Sequence, residues 1–550
     1  MKQILKTYAA AYHNEVTGSR ILLTVEMPDK TKYRILVDYG YFQEVDYRYL
    51  NYVDDLNPES IDAIILTHNH IDHTGLVPKA VKQGYRNKIY MTEITQELIG
   101  NFWRDSANQQ EENAREMRER YPDESHRFHA LYHDEDVENS MKLIVRLPYR
   151  KTVEIFPGIK LSFWENSHIL GAGMVLLQCS YHGCKSQNHL FTGDFKFDSV
   201  FTQVPSFPKW FRNMELIMYT ESTYGSIDKS DIQYCFKDNI LEAFEKKQNI
   251  LIGAFAQGRM QEILYDFKCL QDEGLIPPEY EICVDGPLGI STTFKYQKIL
   301  QWYNPSKKDF IPTGIRYVSP MEREHILDDG IPKILITTSG MLSNGPAKTY
   351  VPIFLEHPNS LIHLVGYAAE ETLARKLLEA ESQDTVKIGD NIYHKRAVVK
   401  STREKTSHAT KDELLKLINM FTNVRFLGIN HGNADVKEAF YDNVFEECPN
   451  VETAGILNRD QMYRFYSIGD NNSPDSRIVV KTQPTGFLND SKLLFGKEAS
   501  KKDILGKTKK SKKKNGNKSK KKNHKTNNKN KGKKPKYKNN SKKTGRRGNF

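Results

Sequence analysis

Short apolar runs bounded by turn residues define the first part of the chain. The alternating segments RILLTVEM and KYRILVDYG flank Pro28, Asp29 and Lys30, a pattern that predicts a β-hairpin. The apolar segment IDAIILT predicts a short buried strand. The segment that follows, GLVPKAVKQGY, has Pro78 near its start and Gly84 near its end, which predicts a short helix.

Farther along, helical and strand patterns alternate. Residues 95–145 are charge-rich with helical spacing, and residues 151–200 return to strand patterns. Between 215 and 400, helical segments separate the apolar runs NILIGAF, YEICVDGP and KILITTSG, which predicts an α/β unit with buried strands. The segment NVRFLGINHGNADVKEAFYDNV predicts a further strand and helix before a turn-rich stretch. Beyond about Phe487 the polar composition predicts disorder, because too little apolar surface is available to offset the ordering entropy.

A cluster of titratable residues follows the strand predicted for IDAIILT. It carries the spacing H-x-H-x-D-H at His68, His70, Asp72 and His73. Any one of these histidines alone would be an ordinary surface or core residue, but four such residues within six positions favour a metal site. Imidazoles and carboxylates suit zinc, and a site for two ions needs ligands around positions about 3.5–4 Å apart. The cluster therefore offers one ligand pair to each of two ions.

Three more residues at the ends of apolar runs have side chains that suit a metal site, either as ligands or as groups that orient ligands. His168 in FWENSHILGAGM precedes glycines that allow close backbone approach. Asp194 ends another run in a Thr-Gly-Asp turn and could bridge two metals, although a turn or cap aspartate is the alternative. Asp38 in ILVDYG is better interpreted as a group that orients the loop histidines than as a metal ligand.

The order of these motifs, H-x-H-x-D-H, then a distal His and a distal Asp, resembles the metallo-β-lactamase fold. The resemblance implies an αββα sandwich with a site for two zinc ions at one edge. It does not fix the substrate, because that fold hosts many hydrolases.

Further motifs resemble the β-CASP nucleases. YTESTYG with Glu221, SHAT with His408 and INHGN with His431 are similar to three motifs of that family, and GAFAQGRMQEIL, DGPLG, TTSGMLSNGPAKTY and GYAAEETLARKLL resemble segments of its β-CASP domain. These motif sequences resemble those of the RNA-cleaving branch, which includes RNase J and the eukaryotic pre-mRNA cleavage-and-polyadenylation endonuclease. One departure is Gly286, where the family more often has serine.

The resemblance implies an α/β protein with an inserted domain and a tail. It divides the chain into a metallo-β-lactamase domain in two parts, a β-CASP insert between them and a disordered Lys-rich tail. The predicted limits are 1–208 and 396–486 for the two parts, 209–395 for the insert and 487–550 for the tail. The insert would cover the metal site so that a single strand threads into the cleft.

The resemblance also assigns roles. One zinc ion is held by His68, His70, His168 and Asp194, and the other by Asp72, His73, Asp194 and His431. Two divalent ions acidify a water molecule toward a neutral pKa, and the resulting hydroxide attacks the phosphodiester in line. His408, hydrogen-bonded to Glu221, is the candidate general acid for the leaving 3′-oxygen.

The formal net charge of +11 is very unevenly distributed. From Lys501 to Phe550 there are 23 Lys and Arg residues against the single acid Asp503, which leaves 57 basic and 68 acidic residues before position 501. A flexible polycation binds RNA by counterion release, so we expect this tail to raise the local RNA concentration near an acidic body. Ribosome or ribonucleoprotein tethering and a solubility tail without a specific partner stay open.

Cysteine usage and hydropathy indicate a cytoplasmic protein. The six cysteines lack C-x-x-C pairing, which suits free thiols, although Cys179 and Cys184 could chelate a metal. No apolar stretch predicts a signal peptide or a membrane span, so no membrane partner is expected. A homodimer stays open.

The leading hypothesis is therefore a zinc-dependent ribonuclease that acts on single-stranded RNA, as an endonuclease, a 5′→3′ exonuclease or both. The main alternative is a β-CASP DNA nuclease of the cross-link-repair type, whose third motif typically lacks the histidine found here as His431. A small-molecule hydrolase is disfavoured by the insert and the basic tail. An inactive scaffold is disfavoured because every ligand position is occupied by a suitable residue.

Overall fold

The computed structural model describes residues 4–44, 46–366, 368, 372–459, 461–471 and 476–484, and the predictions for 487–550 lie outside them. All described residues belong to one unit, Met1–Glu498. The strands are β1 (Lys6–Ala11), β2 (Ile21–Glu26), β3 (Lys32–Val37), β4 (Ala63–Ile65), β5 (Lys88–Thr92), β6 (Ile144–Leu147), β7 (Val153–Phe156), β8 (Ile159–Glu165), β9 (Gly173–Cys179), β10 (Gln187–Phe191), β11 (Glu215–Thr220), β12 (Asn249–Gly253), β13 (Glu281–Asp285), β14 (Arg316–Tyr317), β15 (Lys333–Thr337), β16 (Ser360–Val365), β17 (Thr385–Ile388), β18 (Asn391–His394), β19 (Val398–Thr402), β20 (Asn423–Ile429), β21 (Ala454–Ile456), β22 (Gln461–Ile468) and β23 (Arg477–Pro484).

Helices surround these strands. They are α1 (Ile71–Thr74), α2 (Val77–Lys82), α3 (Glu93–Arg120), α4 (Asp134–Met141), α5 (Lys209–Arg212), α6 (Phe236–Glu245), α7 (Arg259–Asp272), α8 (Pro287–Tyr303), α9 (Ala347–Glu356), α10 (Leu373–Glu379), α11 (Lys411–Asn419) and α12 (Ala434–Glu447). Short 3-10 helices span Arg48–Tyr52, Pro58–Ser60, Pro122–Arg127, Lys229–Asp231, Pro305–Lys307 and Pro320–His325.

Two large sheets form an αββα sandwich, as the resemblance implied. One has eight strands in the order β23-β22-β1-β2-β3-β4-β5-β6, and the other has seven in the order β21-β20-β11-β10-β9-β8-β7. Apolar side chains of both sheets, among them Leu23, Ile35, Leu177 and Ile217, pack into a shared core. Helices α2, α3 and α4 cover the outer face of the first sheet, while α11 and α12 cover that of the second. Each sheet is therefore buried on both faces.

A third sheet forms the predicted α/β insert. Its six strands run in the order β14-β13-β15-β12-β16-β19, and every neighbouring pair is parallel. Helices α6, α7 and α8 pack on one face and α9 and α10 on the other. Both faces are covered, which explains why the predicted strands NILIGAF, YEICVDGP and KILITTSG are almost continuously apolar.

Strand pairing suggests limits for the insert that differ from those predicted from the sequence. Strand β11 begins at Glu215 and pairs with β10 and β20 inside the sandwich, although the sequence assigns the insert from 209. Strand β19, which ends at Thr402, pairs with β16 in the insert sheet, although the sequence ends the insert at 395. Because sheet membership crosses both limits, we propose that the insert spans about 221 to 402.

The stretch after α12 differs from the sequence prediction. It is not only turn-rich, because β22 and β23 form an antiparallel pair with an eight-residue register and β22 continues onto β1. Along β22 every second residue is buried, Tyr463, Phe465 and Ser467 among them, while intervening positions such as Arg464 are partly exposed. The sequence obscures this period-2 pattern, because the partly exposed positions Met462, Tyr466 and Ile468 are apolar while the buried Ser467 is polar.

Gly286, the departure from the family pattern, lies at a position that requires glycine. Its φ of +127° falls where side chains are strained, and a Cβ there would lie 2.4 Å from Thr338 Oγ1. A serine could not occupy this backbone without moving Thr338, which lies in the loop after β15.

All six cysteines lie in described residues and are free thiols, as predicted, and four of them, including Cys179 and Cys184, are buried. Among the described residues, no helix combines the length and the apolar character needed to cross a bilayer.

Candidate metal centre

The candidate residues meet where strands of the two sandwich sheets end. Strands β3 and β4 are parallel, so Asp38 and the histidine-rich segment leave the first sheet side by side. In the second sheet β10, β11 and β20 are mutually parallel, and Asp194, Glu221 and His431 follow their carboxyl ends. Parallel strands thus deliver distant parts of the chain to one edge.

The segment after β4 is partly helical. His68 and His70 lie on the connecting loop, whereas Asp72 and His73 lie on the single turn α1. The turn points Asp72 and His73 toward one side of the site and leaves the two loop histidines facing the other. This divides the H-x-H-x-D-H motif into two ligand pairs.

One group, which we call the His168 half-site, contains His68, His70, His168 and Asp194. His168 Nε2 lies 3.1 Å from His70 Nδ1 and 3.6 Å from Asp194 Oδ2. His68 Nε2 lies 3.6 Å from the same carboxylate oxygen. One ligand-type atom from each residue lies within 4.8 Å of the others, a spacing that suits a single ion.

The second group, the His431 half-site, contains Asp72, His73, His431 and again Asp194. His73 Nε2 lies 3.1 Å from His431 Nε2 and 3.2 Å from Asp194 Oδ1. Asp72 Oδ2 lies 3.7 Å from His431 Nε2. Asp194 therefore presents one carboxylate oxygen to each half-site, as expected for a ligand shared by two ions.

Hydrogen bonds fix the ring nitrogens of His68, His73 and His168 that face away from the site. His68 Nδ1 lies 3.0 Å from Thr67 Oγ1, and His168 Nδ1 lies 2.8 Å from the Ser407 carbonyl oxygen. His73 Nδ1 lies 2.7 Å from the carboxylate of Asp38, whose other contacts are the amide and hydroxyl of Thr67. A proton on each Nδ1 leaves the Nε2 lone pair directed into the site.

The site fits a pair of cations. His68 Nε2 and both carboxylate oxygens of Asp194 are buried and make no hydrogen bond. Ring nitrogens face each other at 3.1 Å in both half-sites, so ligand-type atoms converge on the same two positions. Buried polar atoms are normally satisfied, and a divalent cation in each half-site would satisfy these.

The electrostatics agree with that fit. Burial lowers the pKa of His68 and His168 well below the usual range and that of His70 to about 4, so these imidazoles are neutral and able to bind metal. Burial disfavours charge on Asp194 too, but the neighbouring histidines, His431 first, hold the pKa of its carboxyl well below the usual range. A carboxylate kept ionised in a buried site attracts a cation.

His408 and Glu221 form a pair beside the half-sites. His408 Nδ1 lies 2.8 Å from Glu221 Oε2, the contact that the resemblance implied, and the backbone N–H of Phe195 donates to the other oxygen of Glu221. Burial opposes protonation of His408, but the charge of Glu221 prevails and raises the pKa of the imidazole to about 9. The ring centroid of His408 lies 4.9 Å from that of His168.

All candidate residues are therefore brought together, and several neighbours were missed by the sequence. Thr67 and Ser407 orient histidines, and Thr223 Oγ1 lies 3.0 Å from His431 Nδ1. The Asn69 amide donates to Gln257 of the insert, which ties the histidine loop to that domain. The only sequence signal for these residues was their position beside a motif described above. For Ser407 even the residue type is uninformative, because the contact is made by a backbone carbonyl that any residue supplies.

Two family models match the chain. The Beta-Casp domain model covers residues 260–377, and the Metallo-beta-lactamase superfamily model covers residues 25–215. The first match lies within the insert and the second within the N-terminal part of the sandwich.

Individual relatives come from archaea. An RNase J-like protein of Methanocaldococcus jannaschii is 30% identical over 360 residues, which cover 64% of this chain and 76% of that protein. The transcription termination factor FttA of Methanosarcina mazei is 28% identical over 414 residues, which cover 68% of this chain and 61% of the relative. FttA of Methanococcus maripaludis is 29% identical over 362 residues, which cover 62% of this chain and 54% of that relative. The chain thus spans less than two thirds of these FttA relatives.

Proposed function

This chain belongs to the β-CASP family of metallo-β-lactamase-fold proteins, and on that premise we propose that it is a zinc-dependent ribonuclease. The observation that carries the proposal is the convergence of two half-sites on the unsatisfied carboxylate of Asp194, next to the His408–Glu221 pair. A site with two metal positions and a separate proton donor suits hydrolysis of a phosphodiester.

The seven candidate ligands would hold two zinc ions, one in each half-site. Bound there, the ions supply an acidified water molecule as nucleophile and positive charge that offsets the charge developing on the phosphorus-centred transition state. The side chains of Asp38, Thr67 and Thr223 keep the histidine rings oriented for this task. Ser407 does so through its carbonyl.

His408 would act as the general acid. Its Nδ1–H donates to Glu221, so the proton available for transfer is on Nε2, the nitrogen that faces away from Glu221. Protonation of the leaving 3′-oxygen from this atom completes cleavage of the P–O bond. Glu221 then acts as a positioning residue that favours the imidazolium form and fixes the ring.

RNA is the substrate that the relatives favour. The RNase J-like relative carries an RNA nuclease in its printed name, and the chain covers 76% of it, against 61% or less of the two FttA relatives reported above. The histidine of the third motif, His431, also favours the RNA branch over the DNA branch. We therefore assign single-stranded RNA as the substrate, in the cytoplasm, with the Lys-rich tail as an RNA or ribonucleoprotein tether. A homodimer stays open.

The test compares RNA and DNA of the same sequence, labelled at either the 5′ or the 3′ end. Wild type should cleave only RNA, and the two labels will separate endonuclease from exonuclease products. Asp72→Ala should abolish cleavage, and His408→Ala should slow it by ~10²–10⁴, the usual range for a lost general acid.

Two exposed residues serve as matched controls: Asp198→Asn for the aspartate and His182→Ala for the histidine. Both should retain wild-type rates. Unchanged rates in Asp72→Ala and His408→Ala would refute the mechanism, and faster cleavage of DNA would favour the cross-link-repair type instead.

A further inference from the structure

An exposed aromatic ring lies at the carboxyl edge of the insert sheet. Phe255 follows β12 by two residues and keeps 44% of its surface exposed, although the neighbouring Ala254 is fully buried. A half-exposed phenylalanine offers an apolar face that a ligand can cover with a gain in solvation free energy. At this edge the parallel strands β12, β13 and β15 all end, which is where ligands bind in open α/β sheets.

The ring is close to the metal centre. Gln257 contacts Asn69, which stands between His68 and His70 in the sequence. Phe255 is two residues from Gln257, so their Cα atoms are at most about 7 Å apart. The contact to Asn69 therefore keeps Phe255 within a few nucleotides of any phosphodiester held by the half-sites.

The ring is also held in place by close packing against Gly340, in the loop after β15. Gly340 packs against it so closely that a Cβ at that position would lie 3.1 Å from the ring atoms Cδ2 and Cε2. The backbone N–H of Met260 donates to the carbonyl of Phe255 and closes the turn into α7. A ring that is fixed yet exposed loses little entropy when a flat ligand covers it.

We propose that Phe255 is a stacking platform for one base of the single strand, next to the scissile phosphodiester. The inference rests on the proposed ribonuclease function and names a residue that sets how the strand is threaded. Stacking tolerates any base, because every base has a π-face, so this contact would position the substrate without selecting its sequence. Phe255 is a positioning residue and takes no part in the chemical step.

The experiment uses short single-stranded RNAs that carry the fluorescent base 2-aminopurine at successive positions. With the full chain in EDTA, which prevents cleavage, quenching should be strongest at one position and should be lost in Phe255→Ala. In cleavage assays with metal, Phe255→Ala should raise KM by roughly 5- to 150-fold, the range for one stacked base, with a smaller change in kcat. Phe255→Tyr should restore both readouts.

The matched control is Trp302→Ala. Trp302 is 57% exposed in the same insert but lies near the far end of α8, about 22 Å along the helix from Pro287 at the sheet edge. Trp302→Ala should leave 2-aminopurine quenching and KM unchanged. Thermal melting will verify that both alanine variants fold. Wild-type cleavage with no Phe255→Ala effect on quenching or KM overturns the stacking proposal alone. Absence of wild-type cleavage overturns the ribonuclease function instead.

Discussion

The two half-sites share Asp194 but are supported differently. In the His431 half-site, His73 contacts the carboxylate of Asp38 directly at 2.7 Å. In the His168 half-site, His68 reaches the same carboxylate only through the hydroxyl of Thr67. The two other supports are neutral: His168 contacts the Ser407 carbonyl, and His431 contacts the hydroxyl of Thr223.

This difference predicts unequal metal affinity. A carboxylate partner makes an imidazole more basic and a stronger ligand than a hydroxyl or carbonyl partner does. The half-site that contains Asp72, His73 and His431 should therefore hold its ion more tightly. The other half-site should lose its ion first when a chelator is added.

The largest effect is expected from the shared ligand. Asp194→Asn removes the negative charge that both half-sites share, so both ions should be lost at metal concentrations that saturate wild type. RNA cleavage should fall below detection. Metal content measured by mass spectrometry after gel filtration will test this, with Asp198→Asn as the matched control. Retention of two ions per chain by Asp194→Asn would contradict a bridging role.

An intermediate effect is expected from Asp38→Asn. The direct partner of His73 loses its charge, so affinity in the His431 half-site should fall by roughly 10–100-fold, the range for groups that orient metal ligands. Affinity in the His168 half-site should fall less, because Thr67 intervenes. Competition with a zinc chelator will resolve the two binding steps.

Asp62→Asn is the control for Asp38→Asn, since Asp62 accepts a backbone N–H from Arg34 in the same sheet and does not touch the site. If Asp38→Asn lowered zinc affinity more in the His168 half-site than in the His431 half-site, the predicted order of the two affinities would be wrong.

The smallest effect is expected from Thr67→Val, which keeps the shape of the side chain but removes the hydroxyl. The hydroxyl's contacts to His68 and to Asp38 are lost, while the Thr67 amide still donates to Asp38. Zinc affinity in the His168 half-site should fall by about 2–10-fold, the equivalent of one neutral hydrogen bond to a ligand. The His431 half-site serves as the internal control, because His73 keeps its bond to Asp38. Equal losses in both half-sites would mean that Thr67 acts through Asp38 instead.

Much of the fold and site could be predicted because the signals are local. Apolar runs with turn residues at their ends identified strands such as β2, β3 and β12, and Asp38, Asp194 and His431 each follow such a run. The β22–β23 pair was missed because apolar residues such as Met462 and Ile468 occupy partly exposed positions of β22 and Ser467 occupies a buried one, which hides the alternation. The limits that we propose for the insert differ from the predicted ones because β11 and β19 are assigned by their partner strands, which no local pattern reveals.

The sequence by itself determined which side chains could bind metal, because residue type and spacing fix donor chemistry within a single turn or loop. Only the tertiary structure decided which donors share an ion and what holds them. His168 and Ser407 are 239 residues apart, and their contact exists because two sheets and an insert pack together. Asn69 and Gln257 meet for the same reason. Such contacts form only when strands of different sheets end close together. That arrangement is stabilised by packing of the whole core, so no single motif determines it.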